Sequence, residues 1–151
     1  MAVDASAALA GLDALAEKAT AAIRPAAQAG AQVFYNEVKL NVGKIGKVTG
    51  NLDASIYQVF SKDNSTPTSA TYHISWNTRK APHGHLVEFG HIQTRKVYLG
   101  KDGKWYTSPE KLPEPKQVAA RPFIRPAYAA KEREALEAAR QSLIAEIGRE
   151  S

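Results

Sequence analysis

The sequence predicts an α+β protein: an antiparallel sheet of about four strands, packed by a long N-terminal helix kinked near Pro25 and by a C-terminal helix. Two observations carry this. The hydrophobic period is three to four residues at both ends of the chain and two in the middle. The two-period stretches also come in pairs separated by turn residues, which is the pattern of hairpins rather than of parallel crossovers. At 151 residues with 44% hydrophobic content, the chain has the size and composition of one globular domain, 1–151. Within it the segments are a helical 1–40, a sheet region 50–107 with its hairpins, a Pro-rich linker 108–121 and a helical 122–148.

The first forty residues are rich in alanine, the strongest helix former. Asp4 or Ser6 can cap the start. Leu9, Leu12, Leu15, Ala16, Ala19 and Ile23 make one apolar face, which Val33, Phe34 and Val38 continue. Pro25 lacks the N–H a helix interior needs, so a kink or a second helix start is expected there. Asn41 to Asn51, with Gly43, Gly46 and Gly50 around Lys44 and Lys47, reads as a flexible basic loop. It lacks the glycine spacing and following Ser/Thr of a phosphate-binding loop.

From Leu52 the period becomes two. Leu52, Ala54, Ile56 and Phe60 face one way and Asp53, Ser55, Tyr57, Val59 and Ser61 the other. Asp63 to Pro67 is turn chemistry, and Ala70, Tyr72, Ile74 and Trp76 then alternate with Thr71, His73 and Ser75. A second hairpin pairs Val97-Tyr98-Leu99 with Trp105-Tyr106-Thr107 around Asp102-Gly103. Pro109, Pro113 and Pro115 suggest an extended linker. Beyond Pro126, Tyr128, Ala135, Ala139, Leu143 and Ile147 recur at helical spacing, with Leu136 beside them and Gly148 as a stop.

The net charge of +5 is unevenly placed. Residues 1–40 hold three basic and four acidic side chains, and 122–151 hold five of each. Residues 41–121 hold twelve basic and six acidic. Such a segment attracts phosphates or an acidic partner, or it is a solvated face that keeps the protein soluble. There are no cysteines, so disulfides, thiolate zinc sites and cysteine nucleophiles are excluded. No apolar run reaches the roughly 18 residues of a membrane span, and the N-terminus, with Asp4 and no basic start, shows no signal peptide.

His83, His85 and His91 with Glu88 among them carry ligand chemistry suited to zinc or nickel. Yet the spacing is not that of a metalloprotease, and Pro82, Gly84 and Gly90 are poor scaffolding for a rigid site, so surface histidines are the reading and no metal or cofactor is expected. His73 falls on the polar side of its strand. No serine sits in a nucleophile elbow, and the chain is not expected to be an enzyme. Tyr98, Trp105 and Tyr106 beside Lys96, Lys101 and Lys104 could stack on bases and hold phosphates, or they could be cross-strand pairs of a hairpin. No reader motif for sequence-specific binding is present.

Two segments are more distinctive: Ala81-Pro82-His83-Gly84-His85-Leu86-Val87-Glu88-Phe89-Gly90-His91, and Pro122-Phe123-Ile124-Arg125-Pro126-Ala127 running into the last helix. Together they resemble the small neck proteins of long-tailed bacteriophages, morphogenesis proteins that join head to tail or complete the tail. That family shows Ala-Pro-Tyr-Ala, then Val-Glu-Phe-Gly-Thr, a variable insertion, and Pro-Phe-Leu-Arg-Pro-Ala before a helix. Its earlier marks are similar to Gly50, Leu52, Ser55 and Ile56, and to the aromatic strand ending at Trp76. Here His83 replaces the tyrosine, His91 the threonine and Ile124 the leucine.

The resemblance implies a non-enzymatic structural protein of the virion, a ring at the neck or tail end through which DNA passes. Its partners would be itself in the ring, the adjacent head-closure and tail proteins, and passing DNA through charge alone, with no membrane. Assembly would take place in the host cytoplasm. The competing readings are a basic nucleic-acid-binding module and, less favoured, a small metal-dependent enzyme at the histidine cluster. The structural motif residues are Pro82, Val87, Glu88, Phe89, Gly90, Pro122, Phe123, Arg125 and Pro126. Lys44, Lys47, Arg95, Lys96, Lys101 and Lys104 are the candidates for assembly or for facing DNA. Physically, Val87 and Phe89 should anchor their segment, Phe123 or Ile124 should plug the sheet, and Gly90 should take a positive φ. Glu88 and Arg125, each a charge among apolar neighbours, are expected to pair. The alternatives are that both face water or that Arg125 reaches a neighbouring subunit.

Overall fold

The computed structural model describes residues 6–46 and 50–149. The elements in order are helix α1 (Ser6–Ile45), a helical turn α2 (Asn51–Ser55), strands β1 (Ile56–Phe60) and β2 (Tyr72–Trp76), a short helix α3 (Gly84–Phe89), strands β3 (His91–Leu99) and β4 (Trp105–Val118), and helix α4 (Ile124–Gly148). The fold is α+β. Its four strands form two separate antiparallel pairs, β1 with β2 and β3 with β4, rather than one sheet. The chain divides into two compact units.

The first unit takes residues up to 36, 58–74 and 130 onward. On α1, burial starts at Ala22 and recurs at Ala26, Gly30 and Ala31. These small residues allow close approach of α4: a Cβ at Gly30 would lie 3.0 Å from the Ala135 carbonyl oxygen. Ala135 is buried, and Ala139, Leu143 and Ile147 are half-buried on the same face. Phe60 and Tyr72 meet edge-on with ring centres 5.5 Å apart, and the Arg24 guanidinium lies 4.2 Å over the Phe60 ring. Ser61 N–H donates to the Thr71 carbonyl, closing the strand pair.

The second unit takes 37–57 and 75–129. Its core is Val38 and Val42 of α1, Ile56, Ala81, Phe123 and Ala127. Phe123, fully buried, packs edge-on against Trp76 with ring centres 5.7 Å apart. Gly84 is required beneath that indole, since a Cβ there would fall 2.3 Å from Trp76 Nε1. Lys39 Nζ bonds both the Asp53 carboxylate and its carbonyl, each at 2.7 Å, tying α1 to α2.

Several expectations are corrected. α1 runs through Pro25 without a second start, and it continues through Asn41 to Ile45, where a loop was expected. Buried Val42 explains the extension: tertiary packing outweighs the helix cost of Gly43. Asp4 and Lys47 lie outside the described residues. Leu9, Leu12 and Leu15, expected on the apolar face, are 49–62% exposed. Residues 51–55 are a helical turn rather than strand, entered through Gly50 at φ 73°.

The largest correction concerns 108–121. Most of this segment is not a linker but the second half of β4. Its prolines are accommodated because β4 is out of register there. Gln93 faces Lys116, Arg95 faces Lys111 and Val97 faces Thr107, so extra residues of β4 bulge out twice. Pro109, Pro113 and Pro115 all fall in these bulged stretches, where no ladder N–H is demanded.

Candidate assembly surface

The site is built from an anchor and the ribbon that grows from it. The anchor is Glu88, at the end of α3 and 2% exposed. Its Oε2 accepts the backbone N–H groups of Phe123 (2.7 Å) and Ile124 (3.1 Å). Its Oε1 accepts the N–H of Arg125 (3.2 Å) and the Arg125 Nε–H (3.1 Å). Arg125 Nη2 donates to the Glu88 carbonyl at 2.8 Å, so the expected pair is formed within one chain.

The sequence explains why one carboxylate suffices. A helix leaves its first donors without partners. Here the donors of Phe123, Ile124 and Arg125 all go to Glu88, and Pro126, next in the first turn, has none to satisfy. The carboxylate also sits at the positive end of the α4 dipole. Burial alone pushes the Glu88 carboxyl upward, but the three backbone donors and the guanidinium outweigh it and hold it below the ordinary glutamate value. A further strut, Arg121 N–H to the Val87 carbonyl at 2.8 Å, joins the same two segments.

Gly90 ends α3 with φ 73° and ψ 173°, a region essentially confined to glycine. A Cβ there would come within 2.7 Å of the Val118 carbonyl oxygen, so the start of β3 can lie against the end of β4 only with this residue. Pro122 and Val87 are half-buried, while Pro82 and Pro126 are exposed. Phe89, expected as an anchor, is instead 63% exposed and carries the Arg125 guanidinium 5.0 Å over its ring.

From this anchor the β3–β4 ribbon extends. At its tip Gly103, with φ 75°, closes the turn, and Asp102 accepts from the Tyr106 hydroxyl at 2.6 Å. The Tyr106 hydroxyl and the Lys104 backbone N–H hold the Asp102 carboxyl below its usual range, and Asp102 raises the Tyr106 hydroxyl in turn. Cross-strand partners share a face. Tyr98 and Tyr106 therefore stack on one side, 5.8 Å apart, while Val97, Leu99 and Trp105 lie on the other. All five are 42–54% exposed.

Of the proposed basic residues, Arg95, Lys96, Lys101 and Lys104 come together on the ribbon, and Lys44 lies on α1. Arg95 donates to the Pro109 carbonyl and Lys96 pairs with Glu110 at 2.5 Å. Lys111 and Lys116, in the segment read as a linker, join the same ribbon. The histidines do not converge on a ligand set. Glu88 is committed to α4, His85 is exposed, and no group of three or more metal-ligating side chains exists among the described residues. His83 and His91 instead line an apolar cavity of about 340 Å³ with Leu86, Val87 and Val118.

A family model described as "Bacteriophage HK97-gp10, putative tail-component" matches residues 6–90, more than half of the chain. The chain belongs to the HK97-gp10-like family. The match ends at Gly90, so it covers Glu88 and its strained glycine, while the ribbon and α4 lie beyond it. No curated protein matches the chain, and no solved structure matches it. Membership of the HK97-gp10-like family makes the chain a structural component of a phage tail, consistent with a non-catalytic role and with a place in the virion alongside other phage proteins. No helix among the described residues is long and apolar enough to cross a membrane.

Proposed function

We propose that this tail component forms a ring at the neck or tail end of the virion, through which the DNA passes, and that it contacts both its own copies and the adjacent head-closure and tail proteins. The observation that carries this reading is the ribbon. A two-stranded ribbon is marginal alone in water and leaves both edges unpaired. This one also exposes apolar side chains on both faces near its tip. Such a surface is made to be covered. A head-to-tail contact between identical copies closes into a ring when its rotation allows.

The basic side chains of the ribbon support a second reading, contact with nucleic acid by charge. Sedimentation of the purified chain over a concentration series, with electron microscopy of the product, separates the two. Concentration-dependent closed rings support the leading reading. A monomer that binds duplex DNA with a steep salt dependence supports the second and overturns the first.

A further inference from the structure

The ribbon's apolar face has a counterpart within the same sequence. Leu9, Leu12 and Leu15 on α1 are 59%, 62% and 49% exposed, a stripe of three leucines at helical spacing with nothing covering it among the described residues. Asp13 and Glu17 flank this stripe on one side, and Lys18 lies along the other. The ribbon, residues 91–118, carries six basic side chains against three acidic ones, and its apolar face is Val97, Leu99 and Trp105. Trp105 also borders a cavity of about 220 Å³ lined by Val42, Ile45, Leu52, Val87, Asp53 and Arg121. One surface is thus an apolar stripe with two acidic residues along one side and a lysine on the other. The other is an apolar face on a basic ribbon, bordering a cavity lined by both Asp53 and Arg121.

We infer that the Leu9–Leu12–Leu15 stripe of one copy docks on the Val97–Leu99–Trp105 face of the next. The inference rests on the self-assembly reading above and names its contact. Apolar matching supplies the attraction, and Asp13 and Glu17 against the basic excess of the ribbon favour this partner. Two ribbons meeting each other would instead bring like charges together. The contact uses different surfaces on the two copies, so each copy keeps one of each available and the chain of contacts can close into a ring rather than stop at a dimer.

The test uses two full-length variants. Leu99→Ser with Trp105→Ser removes the ribbon face and Leu12→Ser with Leu15→Ser removes the stripe. Each alone should be a folded monomer at concentrations where the unaltered chain is assembled. Mixed in equal amounts, they should give a species of twice the monomer mass and nothing larger, because one intact stripe meets one intact ribbon. Either variant assembling like the unaltered chain overturns the inference while leaving the ring reading standing. So does a mixture of folded variants that stays monomeric. An unaltered chain that is monomeric at every attainable concentration overturns both.

Since the sequence has no cysteine, Leu12→Cys and Leu99→Cys chains provide a test that does not depend on the serine variants folding. Mixed and oxidised, they should form a crosslinked heterodimer well above either homodimer. Absence of that excess overturns the inference, as does a bond closing within one chain when both cysteines are placed together.

Discussion

The Glu88 anchor and the tip of the β3–β4 ribbon lie in one compact unit and are built on opposite terms. At the anchor a fully buried carboxylate meets every free donor of the first turn of α4, with a guanidinium added. At the tip, Val97, Tyr98, Leu99, Trp105 and Tyr106 are held in a two-stranded ribbon and stay in water. Losing a partner from a satisfied buried charge leaves that charge or its donors stranded, so the anchor bears on folding. Losing an exposed apolar side chain removes little from the monomer, so the tip bears on whatever covers it. The comparison teaches that the motif residues and the exposed aromatic residues answer different selective demands although they are neighbours in the chain.

The largest expected effect is at the anchor. Glu88→Ala should cost about 3–5 kcal/mol, because it strands the backbone donors of Phe123, Ile124 and Arg125 at about 1–3 kcal/mol for each one left buried, read from urea unfolding of the monomer. Glu88→Gln keeps one acceptor oxygen and should lose less. In a double-mutant cycle with Arg125→Met the coupling should fall in the range of about 0.5–3 kcal/mol for contacting residues. A coupling of zero would mean that the guanidinium adds nothing to the backbone donors. Gly90→Ala comes next, at about 1–3 kcal/mol for the positive φ alone, with the approach to the Val118 carbonyl adding to it.

Acid should expose the same difference. The folded-state pKa of Glu88 lies below its unfolded value, so its contribution is fully present above the ordinary glutamate pKa of about 4.3. It is lost as pH falls through the lowered folded value, when the protonated carboxyl can no longer accept all its donors. A plot of stability against pH should therefore drop on the acid side, and the drop should be shallower in Glu88→Gln. Smaller still, replacing Leu99 to Trp105 by a short glycine-serine turn should change monomer stability by about 0.5 kcal/mol or less, as for other surface changes, while abolishing assembly. Circular dichroism showing an unfolded product would move the tip from the partner side of the comparison to the folding side. The triple change of His83, His85 and His91 to alanine should alter stability by less than about 1 kcal/mol and leave assembly intact, because no ligand set is broken.

What could be read from the sequence follows the same division. The Glu88–Arg125 pair was legible because a charge inside an apolar motif needs a partner, and two such motifs were present. The positive φ of Gly90, the buried Phe123, the turn at Asp102-Gly103 and the end of α4 at Gly148 follow from local chemistry in the same way. The length of β4 was hidden because three prolines suggest a linker, and only the register with β3 shows that they sit in bulges. The exposure of Leu9, Leu12 and Leu15 was hidden because periodicity marks an apolar face without saying whether the same chain covers it, and that of Phe89 because its motif shows an aromatic residue without its burial. The helix contact has its own signal in the sequence: Ala22, Ala26 and Gly30 recur every fourth residue, a row of small side chains suited to close approach.

Native-state hydrogen exchange tests the division most directly, because it reads both regions in one sample. The amides of Phe123, Ile124 and Arg125 should exchange only through global unfolding, at the same rate in dilute and concentrated protein. Those of Val97 to Leu99 and Trp105 to Thr107 should exchange through local opening when dilute and become protected as concentration rises. Equal protection of the two regions in the dilute monomer, or a tip that stays unprotected while the protein assembles, would contradict the account.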